Sequence, residues 1–535
     1  MKTMNYLNKA IYTLFITALL VAGCNEEEFQ ELDINPQAVN EIDLNFLFTR
    51  AELELSDGES NRFLSWRTYL LFDAMAIQHT ATTGISVAGD KYFHEFENAD
   101  ALFNFSYTTL RNVSEILKQT GPGGYDEGNK NNLRQATRIV KAFLFQRLTD
   151  QYGNIPYFEA GQATAAEPIL FPMYDPQSAI YPDLLKEVDE ATAALDLNGL
   201  DEGFSAADII YHGDIAKWKK LGYSLMLRMA MRVSNVDQAM ANTYVSKAIA
   251  GGMFESNQDN MVIPHDLGPS EWQSQNGLSR TVAPGDGGED TTLGKTLIDF
   301  LKGADPNSTG DDDPRLMIIS GGIAAWPTPD EWIPYPGGLD PLNQKGMPNG
   351  YDAAGLEAYE GFPVVVEETY SRANPKFFQD DESFMLMNVA EVELLLAEAA
   401  VRGIGGATDA QTHYEAGVKF AMQMYTMYDP SLVVTDAQVA SYLATYPFGS
   451  RDPEEMIGEQ LWVSFFLNWM EGYNNYRRTE YPILIPTNYP GNVTGGTFPA
   501  RVRYPQGEVA ANPNFQNGST QPDTYTTKVW WAGGN

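Results

Sequence analysis

Apolar residues recur at helical spacing along most of this chain, in consecutive stretches that begin every forty residues or so in the middle region. The spacing predicts helices over 43–56, 61–78, 98–119, 130–152, 175–195, 214–233 and 236–249, and a second set over 384–401, 409–428, 436–446 and 452–471. One-sided helices must bury their stripes against one another, so the chain is expected to be mainly α, built of stacked helical hairpins. Within 214–233, Trp218, Leu221, Gly222 and Leu225 match the opening of a tetratricopeptide repeat, with Leu in place of Tyr. An ordinary buried amphipathic helix accounts for the same residues.

Between the two sets, residues 251–380 become rich in Gly and Pro, and the chain from Pro482 onward is again loop-like. So long an irregular region is expected to be functional or irregular by design. The domain reading is a leader (1–23), an acidic tether (24–40) and one helical domain (41–535). That domain carries helical pairs at 130–250 and 384–471 and a loop-rich, ligand-facing region at 251–380.

The leader has Lys2 and Lys9, then an uncharged apolar run at 10–22, the pattern of a secretory signal. That run is too short to cross a bilayer as a helix. It ends in Val21-Ala22-Gly23-Cys24, and Cys24 is the only cysteine of the 535 residues. The exit resembles the bacterial lipobox, which implies a lipid-modified Cys24 and a membrane anchor. Asn25-Glu26-Glu27-Glu28 resembles the acidic signal that sends lipoproteins of Bacteroidetes outward across the outer membrane, and a plain solvated charge run reads the same way.

Lys and Arg number 35 against 71 Asp and Glu, a net charge of −36, which argues against nucleic acid because backbone binding needs a basic stripe. None of the five histidines sits in HExxH, and no G-x-S-x-G occurs. The carboxylates are too many to single out a hydrolytic pair, so no enzyme is expected, and no cofactor. DPNSTGDDDPRL (305–316) begins like a calcium loop, with Asp305, Asn307, Thr309 and Gly310, but Leu316 stands where the bidentate Glu is needed. A turn without metal is the preferred reading. Glu391 and Glu393 suit the start of a helix, whereas Glu398 lies in an apolar run and needs a cation, Arg477 or Arg478. Met226, Met229 and Met231 read as core filler.

Several blocks, in order, resemble the SusD/RagB outer-membrane lipoproteins: KAFLFQRLTDQYGNIPYFEA, PMYDPQSAIYPDLL, GDIAKWKKLGYSLMLRMAMR, QKGMPNGYD, MNVAEVELLLAEA, NNYRRTEYP and RVRYPQGE. RRTEYP is similar to the "RRTGYP" of the starch-binding-associated SusD-like branch, although the tryptophan usual before the arginines is missing. The resemblance implies a helical lid on a SusC-like TonB-dependent transporter, anchored by lipid at the cell exterior. Such a lid delivers an oligomeric nutrient, glycan or in some members peptide. A scaffold without ligand is a further alternative.

Aromatic residues make up 12% of the chain, and many stand in Gly/Pro-rich loops. Sugar rings have apolar faces that Trp and Tyr can cover. Trp326, Trp332 and Tyr335, in the proline-stiffened AAWPTPDEWIPYPGG, are therefore candidate ligand contacts, with packing on the protein's own core or against the barrel partner as the rival uses. In the resembling family the loop before the LFNFSYTTLRNV-like helix contributes to the glycan face. That implies Asp90, Tyr92 and Phe93 as candidates, with Trp272 in GPSEWQSQNG as a further one.

Overall fold

The periodic stretches become helices: α1 (Leu44–Glu54), α2 (Phe96–Gln119), α3 (Asn131–Tyr152), α4 (Gln177–Ala194), α5 (Ile215–Arg232) and α6 (Gln238–Gly251). In the computed structural model α7 (Lys295–Leu301) and α8 (Ala353–Glu360) follow, then α9 (Val389–Val401), α10 (Ala410–Gln423), α11 (Asp436–Thr445), α12 (Pro453–Ser464) and α13 (Trp469–Thr479). The structure describes residues 41–57, 62–84, 89–163, 167–268, 274–284, 291–515 and 521–534. Cys24, the leader, the tether and Trp272 lie outside them. Met1–Leu44 and Asn45–Asn535 form separate units, and the fold below is that of the second. Among the described residues no helix is long and apolar enough to cross a membrane.

Consecutive helices pack in series, α2 on α3, α3 on α4, α4 on α5 and α5 on α6, while α9 packs on α10 and α12. The two sets meet where α5 lies on α9. Side-chain caps mark the starts: Asp214 accepts from Lys217 N at 3.1 Å, and Asn388 accepts from Glu391 N at 2.8 Å. Trp218, Leu221 and Leu225 are buried, and the Trp218 indole donates to Asp208 Oδ2 at 2.7 Å, so the ring sheds no polar group into the core. Gly222 has a steric reason: a Cβ there would lie 2.0 Å from Thr192 Oγ1, so glycine lets α5 approach α4. Met226, Met229 and Met231 are wholly buried.

The core also holds charge. Arg228 of α5 grips Glu391 of α9, Nη2 to Oε2 at 2.6 Å, and Arg232 pairs with both Asp150 (3.2 Å) and Glu471. Glu391 is thus more than a dipole-complementing residue, since it ties the two helical sets together. Glu398 pairs with Arg478, its second expected partner, and with Arg402 at 2.7 Å. Arg477 instead donates to the backbone oxygens of Asp150 (2.7 Å) and Ala500 (2.8 Å). Glu393 meets His413 Nδ1 at 2.6 Å.

Two expectations change. The stretch read as a helix over 61–78 is π-helical over Ser65–Ala74, and nine of its ten residues are buried, so packing on nearly all sides overrides local preference. The stretch 452–471 is two helices rather than one. Leu467 takes φ +75° between α12 and α13, and Asn468 donates to Leu386 O at 3.0 Å. Phe465, Phe466 and Leu467 are all buried there, so tertiary packing turns a chain that has no local helix breaker.

The loop-rich region is ordered by small pairings. Thr292–Leu293 pairs antiparallel with Thr80–Ala81, Gly294 bridges Met347, and Ala324–Thr328 forms a hairpin with Glu331–Pro334. The first two bring the segments around 78, 295 and 349 together.

Candidate functional site

At that junction lies a cleft of about 760 Å³. One wall is Pro348–Asp352 with Gly355 and Tyr359 of α8, the other is Ile485–Pro490, and Gln78, Lys295 and Thr296 close the end. Gln78 ties one wall to that end: its Nε2 donates to Ile485 O at 2.7 Å, and its Oε1 accepts from Thr296 Oγ1 at 2.5 Å. Gly350 adopts φ +83°, and a Cβ there would come within 2.7 Å of Thr487 Cβ, so glycine lets the two walls approach.

Three tyrosines face this space. Tyr351 and Tyr359 form a tilted pair with ring centroids 5.2 Å apart, and Tyr489 stands on the opposite wall. The Tyr489 hydroxyl donates to Asp352 Oδ2 at 2.7 Å, while Asp352 Oδ1 caps α8 by accepting from Gly355 N at 2.7 Å. The Gly355 amide, then the Tyr489 hydroxyl, hold the Asp352 carboxyl below its ordinary range, and the same bond raises Tyr489. Around the rings stand Asn349, Asp352, Thr487 and Asn488, groups that can donate to and accept from hydroxyls. Asp352 is the one carboxylate among the described residues lining the cleft.

The loop of Asp90, Tyr92 and Phe93 runs directly behind this cleft. Asp90 is buried, and its Oδ2 accepts from Gly350 N (2.9 Å) and Asn349 Nδ2 (3.3 Å) while Oδ1 takes Lys91 Nζ at 3.0 Å. Its backbone oxygen accepts from Thr487 Oγ1 on the other wall. The buried Tyr92 receives Thr487 N at 3.4 Å, and the Phe93 ring stands edge-on to Tyr489 at 5.5 Å. All three back the lining rather than form it.

Trp326, Trp332 and Tyr335 are not among the lining residues. Trp326 is buried against Phe378 (6.2 Å) and against the half-buried Trp332 (5.5 Å), and Tyr335 reaches toward Glu367. Sequence reasoning did not single out Tyr351, Tyr359 and Tyr489. NYPGN and PNGYD carry the same sign as the tryptophan loop, an aromatic residue fixed between Asn, Gly and Pro.

The calcium-like stretch is a set of turns: Asp305 Oδ1 accepts from Asn307 N (3.0 Å), and Asp313 pairs with Arg315 at 2.6 Å. Among the described residues no three His, Cys, Asp or Glu side chains are grouped to hold a metal ion.

Among solved structures, one titled a chitin-binding protein is 30% identical, covers 92% of this chain and all of its own, and superposes with a TM-score of 0.75. A Bacteroidetes SusD-like protein at 24% identity covers 92% of this chain and all of its own, with a TM-score of 0.76. A chitin-binding SusD homolog from Flavobacterium johnsoniae at 22% covers 90% of this chain and 98% of its own, with a TM-score of 0.68. At such identities the last two speak for the fold. No curated protein matches the chain. The family model described as starch-binding and associating with the outer membrane matches residues 36–505, and the chain belongs to that SusD-like family.

Proposed function

We propose that this protein is a lipid-anchored outer-membrane protein that holds a glycan in the tyrosine cleft and passes it to a SusC-like TonB-dependent transporter. No covalent step is involved. The observation that carries this reading is the placing of Tyr351, Tyr359 and Tyr489 around one cleft with Asn349, Asp352 and Asn488 between them. Rings cover the apolar faces of sugars, and the amides and carboxylate take their hydroxyls. Family membership and a chitin-binding relative at 30% identity support the ligand class.

Isothermal titration with N-acetylglucosamine oligomers, starch-type glucose oligomers and mixed peptides tests it. One glycan class is expected to bind, and Tyr351→Ala/Tyr489→Ala to weaken it by on the order of thirtyfold or more, the scale of a lost binding hot spot. Binding of peptides with no glycan would overturn the reading. The anchor is tested separately. Cys24→Ala is expected to move the protein from the outer-membrane fraction to the medium or periplasm, and full retention in cells lacking the transporter would refute lipidation.

A further inference from the structure

We infer that the ligand site continues past the cleft: a glycan chain seated between Tyr351 and Tyr489 runs on over Ile483 and Ile485 into a second hollow beside α13. The inference rests on the glycan reading above and extends it to a polymer segment longer than the cleft itself. The second hollow measures about 440 Å³ and is lined by Tyr476, Thr479, Glu480, Tyr481 and Phe498 among others. Each hollow is of ligand-site size.

The two are neighbours. Ile483 and Leu484 line the hollow, and the next two residues, Ile485 and Pro486, line the cleft, so one four-residue ridge walls both. A single buried side chain underlies that ridge. The Tyr92 hydroxyl reaches Thr487 N on the cleft side (3.4 Å), and its ring meets the Phe498 ring on the hollow side, centroids 6.5 Å apart. One buried tyrosine thus touches a lining residue of each space.

The ridge presents apolar surface outward. Ile483 is 76% exposed and Ile485 81%, while Leu484 between them is 5% exposed. That alternation is the signature of extended chain, with both isoleucines on one face. A carbohydrate chain crossing the ridge lays its C–H faces on these side chains, and its hydroxyls find Thr479, Tyr481 and Glu480 beyond. Among the described residues lining the hollow, Lys528 pairs with Glu480 at 3.9 Å, and the Arg477 guanidinium donates to the backbone oxygens of Asp150 and Ala500, so its charged groups are already engaged within the protein.

Titration with N-acetylglucosamine and starch-type glucose oligomers, each from dimer to hexamer, tests the extension. For the class that binds, wild-type affinity is expected to rise on the order of tenfold from dimer to hexamer, equivalent to about 1.4 kcal/mol. Ile483→Ser, at a highly exposed position, is expected to abolish that gain and leave dimer affinity and melting temperature unchanged. Equal affinity for dimer and hexamer in the wild type, or a full gain retained in Ile483→Ser, overturns the extension and leaves the cleft standing. No binding of any oligomer overturns the glycan reading itself. Loss of transporter co-purification in Ile483→Ser, with the length gain intact, assigns the ridge to a protein partner and also overturns the extension.

Discussion

Glu398→Ala is expected to lower folding stability by about 3–5 kcal/mol, the cost of removing one member of a buried ion pair. The Glu398 side chain is 5% exposed and the Arg478 side chain 1%. Arg478 donates to both Glu398 oxygens, Nη1 to Oε1 and Nη2 to Oε2 (2.6 Å), and its remaining hydrogen bonds go to Asn475 Oδ1. Truncating the glutamate leaves a guanidinium in the core with a neutral amide as its remaining partner. Burial pushes the Glu398 carboxyl up, but Arg478 and then Arg402 more than offset it, and the folded value falls below the ordinary 4.5. A depressed carboxylate stabilises above its unfolded value, so this contribution is present at neutral pH and lost as acid carries the pH below 4.5 through the folded value. Urea unfolding at neutral pH measures the loss. Glu398→Leu/Arg478→Met removes both charges and is expected to recover most of it, because a matched apolar pair replaces a buried ion pair at little cost. A single variant within 1 kcal/mol of wild type would show that the core tolerates the stranded cation.

The helical frame was legible because each helix carries its own periodicity. Trp218, Leu221 and Leu225 face inward as their spacing requires, and Glu398 found the cation that its apolar surroundings demanded. The two exceptions lie where burial extends beyond one stripe: around the π-helix at Ser65–Ala74, and at Phe465–Leu467, where the chain turns without glycine or proline. The cleft was far less legible. Its walls come from segments near 78, 295, 350 and 488, and only three-dimensional pairing joins them. An aromatic residue in a stiff loop signals a choice between ligand and core, and sequence does not distinguish them: Trp326 sank into the core, while Tyr489 faces the cleft. The Asp90 loop, a candidate from the family resemblance, touches the walls of the cleft from behind, through Asp90 to Gly350 N and Phe93 to Tyr489.

Asp90→Ala is expected to cost about 3–5 kcal/mol and to weaken the ligand as well, and a second substitution separates the two effects. Lys91 is wholly buried, and Asp90 is its counter-ion at 3.0 Å, with Thr82 O (2.8 Å) as the remaining acceptor. Removing the carboxylate therefore strands a cation. It also strips the acceptor from Gly350 N, in the wall carrying Tyr351, and leaves Asn349 Nδ2 with Thr80 O at 2.8 Å alone. In Asp90→Ala/Lys91→Met the cation is gone, so melting should recover most of the loss. The Gly350 amide still lacks its acceptor, so affinity should stay low. That split, stability restored without affinity, marks Asp90 as a residue that positions the cleft. Recovery of both would reduce it to a counter-ion for Lys91. Weakened binding in Asp90→Ala at unchanged melting temperature would instead make it a direct ligand contact, which its 1% exposure argues against.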